Sequence, residues 1–235
     1  MKRKKNIVSI ILARGGSKGI KNKNLINIAG KPLLYWSLKD CKNSKKIHSF
    51  WVSSDSKKIL KFAQKLGAKT ILRPKKLSND KSSSEEGWLH AIKEIEKKDI
   101  KFDDVLAIQA TSPIRGIDTL DKAIRHFYKK RYDSMFSGTS IRDHFIWYNK
   151  KKKLYPNYNY KKRLPRQYIN EKYLENGSFF IFKKKLFNKN KCRMFGKIGT
   201  FVQPTHESFQ IDDKHDIFIV ESIIKYFKSK KNAKK

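Results

Sequence analysis

The chain is poor in most of the residues that would mark a secreted, metal-clustered or membrane-spanning protein. Among 235 residues there are 2 cysteines, Cys41 and Cys192, far apart and without Cys-x-x-Cys spacing. That argues against a disulfide framework and a thiolate metal site, and it suits a reducing compartment. The histidines, His48, His90, His126, His144, His206 and His215, show no ligand spacing. No apolar run nears the length of a membrane span. The opening, Lys2 to Lys5 and then Ile7 to Ala13, superficially mimics a secretory signal, but Arg14-Gly15-Gly16 stands where a small-residue cleavage site belongs. A cytoplasmic protein with no membrane partner is therefore expected. Acidic residues are scarce too: 21 Asp plus Glu face 56 Lys plus Arg, a formal charge of +35. Such a balance ordinarily suggests a nucleic-acid partner. Here the basic residues are mostly lysine spread along the whole length, which reads as compositional bias filling solvated positions. No specific nucleic-acid partner is expected.

Two common phosphate-binding fingerprints are also missing. The segment after the apolar run Ile7 to Leu12 reads Ala13-Arg-Gly-Gly-Ser-Lys-Gly19, which matches neither the Walker spacing nor the dinucleotide Gly-x-Gly-x-x-Gly. Its composition is nevertheless that of an anion cradle. Gly15, Gly16 and Gly19 let backbone N–H groups turn toward an anion, and Arg14, Lys18, Lys21 and Lys23 can neutralise it.

Downstream, apolar runs alternate with helical spacings. Leu34, Leu38 and Cys41 predict a helix after Pro32. Ser49 to Ser53 predicts a strand, with Ser54-Asp55-Ser56 capping a helix that carries Ile59, Phe62 and Leu66 and closes at Gly67. Thr70 to Leu72 and Val105 to Ile108 predict strands. Trp88, Ile92 and Ile95, then Leu120, Ile124 and Phe127, predict the helices that follow each. This rhythm implies parallel βαβ units in a three-layer α/β fold, with ligands beyond the carboxyl ends of the strands, where Arg14, Asp55, Arg73 and Gln109 to Arg115 fall. One domain, 1–235, is expected, with 139–175 as an inserted arm and 228–235 as a frayed basic tail. The arm interleaves Trp147, Tyr148, Tyr155, Tyr158, Tyr160 and Tyr168 with Lys and Arg. After it, Ser178 to Phe182 and Thr200 to Val202 predict strands, and Ile217, Val220, Ile224 and Phe227 a last helix.

Several segments together carry a resemblance: Leu12 to Leu25, Leu72-Arg73-Pro74 with Asp80 to Ser84, Gln109-Ala110-Thr111-Ser112-Pro113, Pro165-Arg166-Gln167, Asn176-Gly177, and Ile211-Asp212-Asp213. In this order they resemble the acylneuraminate cytidylyltransferase family, the synthetases of CMP-sialic and CMP-legionaminic acid. The resemblance implies a mostly parallel sheet of the nucleotide-diphospho-sugar transferase type and an arm used for dimerisation, so a homodimer. It implies CTP and a nonulosonic acid as substrates. Arg14, Lys18 and Lys23 would serve the reaction, with Ala13, Arg14, Ser17 and Asn24 around the phosphates and Arg73 and Ser84 at the cytidine end. Gln109, Thr111 and Ser112 would face the sugar acid or the nucleotide, with Arg166 and Asn176 also on the sugar side. Asp212 would bind Mg²⁺ (or Mn²⁺), and by spacing either Asp212 or Asp213 could cap the last helix. Two positions depart from the family pattern. Gln210 stands where a first metal carboxylate is common, and Leu174 stands near where an arginine pairs the substrate carboxylate. A cytidylyltransferase for 3-deoxy-octulosonate and a basic nucleic-acid-binding protein are the alternative readings.

Overall fold

The computed structural model describes residues 5–17, 19–141 and 145–232 of the chain. In chain order the elements are β1 (Ile7–Leu12), β2 (Asn27–Ile28), β3 (Lys31–Pro32), α1 (Leu33–Asn43), β4 (Ile47–Ser54), α2 (Lys57–Lys65), β5 (Lys69–Leu72), α3 (Ser84–Glu96) and β6 (Asp104–Gln109). They continue with α4 (Thr119–Lys130), β7 (Ser134–Ser140), β8 (Trp147–Lys150), β9 (Lys153–Pro156), β10 (Tyr173–Lys183), α5 (Lys184–Asn190), β11 (Ile198–Val202) and α6 (Lys214–Asn232). Seven strands form the main sheet in the order β11-β7-β10-β6-β1-β4-β5.

The parallel half, β6-β1-β4-β5, is the expected run of βαβ crossovers. The strand read from Ser178 to Phe182 is the end of the longer β10, and it runs antiparallel to both neighbours, β6 and β7. The reason lies in the connection. β7 ends at Ser140, the chain makes its excursion through the arm, and it re-enters beside the point of exit, with Tyr173 paired to Ser140. With no crossover helix to carry it back, the strand must reverse.

Alternation along the buried strands divides the core in two. Ile7 and Ile11, with Phe179 and Ile181, face Leu34, Leu38, Leu60 and Phe127 of α1, α2 and α4. Val8 and Ile10, with Phe180 and Phe182, face Trp88, Ile92 and Phe187 of α3 and α5. This is the pattern of a sheet covered on both faces. A smaller third cluster packs Val220 and Ile224 of α6 on Ile28, Leu33 and Trp36, with Ile211 beneath. It ties the end of the chain to the loop side of β1.

Two boundaries differ from expectation. β7 and β10 extend to Ser140 and from Tyr173, which narrows the arm, and inside it β8 and β9 pair as a hairpin. The lysine run from Lys228 continues α6 as far as Asn232. Lysine is a good helix former, and Lys228 is anchored: its Nζ donates to the Ala29 carbonyl at 2.9 Å and lies 5.0 Å from the Trp36 ring centre.

Candidate active site

The carboxyl ends of β1, β5 and β6 open into a cleft of about 650 Å³, closed on one side by the loop before α3 and on another by the segment before α6. That is room for a ligand of nucleotide size or larger. Arg14, Ser17, Lys23, Asn24, Arg73, Ser84, Gln109, Thr111 and Asp212 all line it. Lys18 lies outside the described residues, as does the side chain of Arg166.

The loop after β1 is held from beneath. Ala13 is fully buried and its N–H donates to the Ser53 carbonyl at 3.0 Å, so it anchors the loop by backbone. The Gly15 N–H donates to Asp55 Oδ1 at 2.8 Å. That group, expected to turn toward an anion, is thus occupied by the end of β4. Asn24 is buried and its Nδ2 donates to the Arg14 carbonyl at 2.9 Å, which fixes the backbone from which the Arg14 side chain projects.

Each cation of the cleft meets a partner of different strength. Arg14 Nη1 is 2.8 Å from Asp80 Oδ1, with both side chains substantially exposed. Such a bridge is worth about 0–1 kcal/mol, little enough for a polyphosphate to displace it. Lys23 Nζ donates to the Ile211 carbonyl and to Asp212 Oδ1, each at 3.0 Å. Arg73 is 6 % exposed, and its Nε donates to Ser78 Oγ at 2.9 Å. Its other guanidinium N–H groups make no hydrogen bond among the described residues. Burial pushes the Arg73 guanidinium below its ordinary pKa, with Asp55 acting in the opposite direction. A buried cation with unused donors on a cleft is poised for an anionic or acceptor-rich ligand.

Ser84 opens α3, whose first turn is set by a capping box between Ser83 and Glu86. Arg193 grips the neighbouring Glu85 with two bonds of 2.6 and 3.0 Å, and its guanidinium lies 4.8 Å from the Trp88 ring centre.

The remaining expected residues sit elsewhere. Ser112 is fully buried, with an Oγ that finds no partner among the described residues, and it does not line the cleft. Asn176 is 2 % exposed; its Oδ1 accepts from Ser137 Oγ at 2.7 Å and its Nδ2 donates to Gln203 Oε1 at 3.1 Å. Its backbone carbonyl accepts from the Nε2 of Gln210, a residue of the cleft, at 2.9 Å. Arg115, grouped with the strand-end residues, has a fully buried side chain. It turns from the cleft to bond the Gln109 and Ser178 carbonyls, Ser37 and Asp40. Asp40's own burial raises its pKa to about 6, against the downward pull of the Arg115 guanidinium. The partners Asp80 and Ser78 went unassigned in the sequence. Asp80 meets Arg14 across 66 positions, a pairing without a local signal.

For a metal, Asp212 is exposed and lines the cleft, and one of its carboxylate oxygens carries no hydrogen bond among the described residues. No group of three or more His, Cys, Asp or Glu side chains converges among those residues. The donor set therefore suits an ion that takes few protein ligands and draws the rest from phosphates and water.

A cationic cleft at the carboxyl edge of a largely parallel sheet, floored by a glycine-rich loop, is the arrangement of an α/β nucleotide-binding protein. The match to the cytidylyltransferase family model, over residues 8–230, makes this more specific, and the chain belongs to that family. It is 37 % identical over 193 residues to N-acylneuraminate cytidylyltransferase A of Danio rerio, an alignment covering 80 % of this chain and 44 % of the relative. It is 29 % identical over 222 residues to pseudaminic acid cytidylyltransferase of Campylobacter jejuni, covering 92 % and 95 %. The chain thus spans less than half the length of the fish relative but nearly all of the bacterial one. In fold it is similar to a CMP-2-keto-3-deoxy-manno-octonic acid synthetase solved with CTP, with a TM-score of 0.68 at 16 % identity over 94 % of this chain and 99 % of that one. Among the described residues no helix is long and apolar enough to cross a membrane.

Proposed function

We propose that the protein couples CTP to a nonulosonic acid, giving the CMP-sugar and pyrophosphate. The observation that carries this reading is the joint placement of Arg14, Lys23 and the half-satisfied Arg73 on one cleft of a chain in the cytidylyltransferase family. The names of its relatives, one for N-acylneuraminate and one for pseudaminic acid, support the sugar class.

In the reaction, the anomeric hydroxyl oxygen of the acid bonds to the α-phosphorus of CTP. The bond from that phosphorus to the bridging oxygen breaks, pyrophosphate leaves with the electron pair, and the hydroxyl proton is released to solvent. Two anions must be brought together, so the protein's work is positioning and charge neutralisation. Arg14 and Lys23, joined by Lys18 on the sequence reading, neutralise the phosphates. Arg73 and Ser84 hold the cytidine end, while Gln109 and Thr111 face the acid. Asp212 would hold Mg²⁺, which when bound supplies further neutralisation of the phosphates.

The protein works as a homodimer through its arm. Trp147, Tyr148, Leu154, Tyr155 and Tyr160 are all exposed there, and a two-stranded hairpin is marginal without a surface to pack against. The two free cysteines and the CTP requirement suit the cytoplasm. The test is pyrophosphate release from CTP with Mg²⁺ and sialic, legionaminic, pseudaminic or octulosonic acid. Release that depends on a nine-carbon acid supports the reading. No release with any acid, together with tight, salt-sensitive oligonucleotide binding, would replace it with a nucleic-acid-binding role.

A further inference from the structure

The cleft combines charged and neutral polar groups. Arg14 and Arg73 bring positive charge from the ends of β1 and β5, and Lys23 reaches the Ile211 carbonyl and Asp212, whereas Gln109, Thr111 and Gln210 present only amides and a hydroxyl. Gln210 belongs to the segment before α6, pinned by the Ile211 N–H, which donates to the Thr111 carbonyl at 2.9 Å. Ile211 itself is fully buried. Gln210 and Asp212, on either side of it, both line the cleft.

The Gln210 amide is held in place. Its Nε2 donates to the Asn176 carbonyl, and Thr111 Oγ1 approaches its Oε1 at 3.4 Å. Asn176 is in turn locked by Ser137 and Gln203. Room for the arrangement comes from Gly177, at φ +64°: a Cβ there would lie 2.7 Å from Gln210 Nε2 and 3.0 Å from Gln109 Oε1. The second N–H of Gln210 and the whole Gln109 amide make no hydrogen bond among the described residues. Gln210 therefore offers a fixed amide with an unused N–H, beside the unused donor and acceptor of Gln109.

Resting on the function proposed above, we infer that Gln210 is a specificity residue for the acceptor, reading an acylamino substituent of the sugar acid. An acylamino group supplies one N–H and one C=O, the complement of a carboxamide, while the substrate's anionic groups are left to the cations Arg14, Lys23 and Arg73. A site built to hydrogen-bond such a group discriminates against an acid lacking it, because its own polar groups then stay unpaired.

The experiment compares kcat/KM for an acylamino nine-carbon acid with that for octulosonic acid, in the wild type and in Gln210→Met, which keeps the bulk and removes the amide. The ratio should fall by about tenfold or more, through KM for the acylamino acid, while KM for CTP stays within about twofold. Gln210→Glu, nearly isosteric, provides a second reading should Gln210→Met fail to fold. It should lower the same ratio by placing a carboxylate against the Asn176 carbonyl. An unchanged ratio in a folded variant overturns the inference while leaving the function standing. A wild type that turns over no acid overturns the function itself.

Discussion

Arg73 separates a functional cation from a structural one. Replacing it by Met keeps most of its volume, so little cavity is left. What folding loses is one hydrogen bond, Nε to Ser78 Oγ at 2.9 Å, worth about 1.5–3 kcal/mol for a charged donor. What folding gains is release from burying a guanidinium that is 6 % exposed and has idle donors, a penalty on the order of several kcal/mol per ion. Asp55 offsets part of that penalty. The balance is neutral or favourable. At about 2–4 °C per kcal/mol for a chain of this size, Tm should be unchanged or up to about 6 °C higher. Binding of CTP moves the other way. Losing a charge-assisted hydrogen bond to ligand costs about 1.5–3 kcal/mol, so KM for CTP should rise about 10- to 150-fold. Scanning calorimetry and initial-rate kinetics on one preparation measure both. A Tm lower by more than about 5 °C with an unchanged KM for CTP would show that Arg73 is a structural bolt and refute the reasoning.

Gly87→Ala reaches the same guanidinium indirectly, since a Cβ there would lie 2.9 Å from both Arg73 Nη1 and Leu12 Cδ1. KM for CTP should rise about tenfold, and full affinity in the alanine variant would contradict this. Arg14→Ala should cost about 10²-fold or more in turnover while Tm moves by no more than about 3 °C, because only an exposed bridge to Asp80 is lost; near-normal turnover in the folded variant would remove the loop from the mechanism. Asp40 gives a pH signature. Its folded pKa of about 6 lies above its ordinary 3.8, so between those values the native state binds more protons than the unfolded chain, and the contribution to stability falls as pH rises from about 4 to about 6. Subtracting the stability curve of Asp40→Asn from that of the wild type should leave this slope, and parallel curves would contradict it.

Much of the scaffold was legible because its signals are local. Ile7 to Leu12 announces a buried strand by its β-branched run, and Trp88, Ile92 and Ile95 announce the face that α3 buries. The cleft was legible because strand ends in a parallel sheet converge whatever the side chains are, so Arg14, Arg73 and Gln109 were located by topology. What was illegible is what depends on distant partners. The direction of β10 follows from where the arm re-enters, which no strand periodicity records. The pairing of Lys23 with Asp212 spans 189 positions. The inward turn of Arg115 is set by the Gln109 and Ser178 carbonyls, backbone groups that carry no residue signature. Asn176, expected beside the sugar acid, was drawn inward by Ser137 and Gln203 because its polar side chain is buried and must be satisfied.

The most direct test of the central claim follows the label from CTP carrying radioactive α-phosphate, incubated with Mg²⁺, enzyme and a nine-carbon sugar acid. The account predicts that the label moves into an acid-labile CMP-sugar, one equivalent of pyrophosphate appearing for each CTP consumed and none without the acid. Label that stays in CTP with every acid, or release of orthophosphate in place of pyrophosphate, would contradict it.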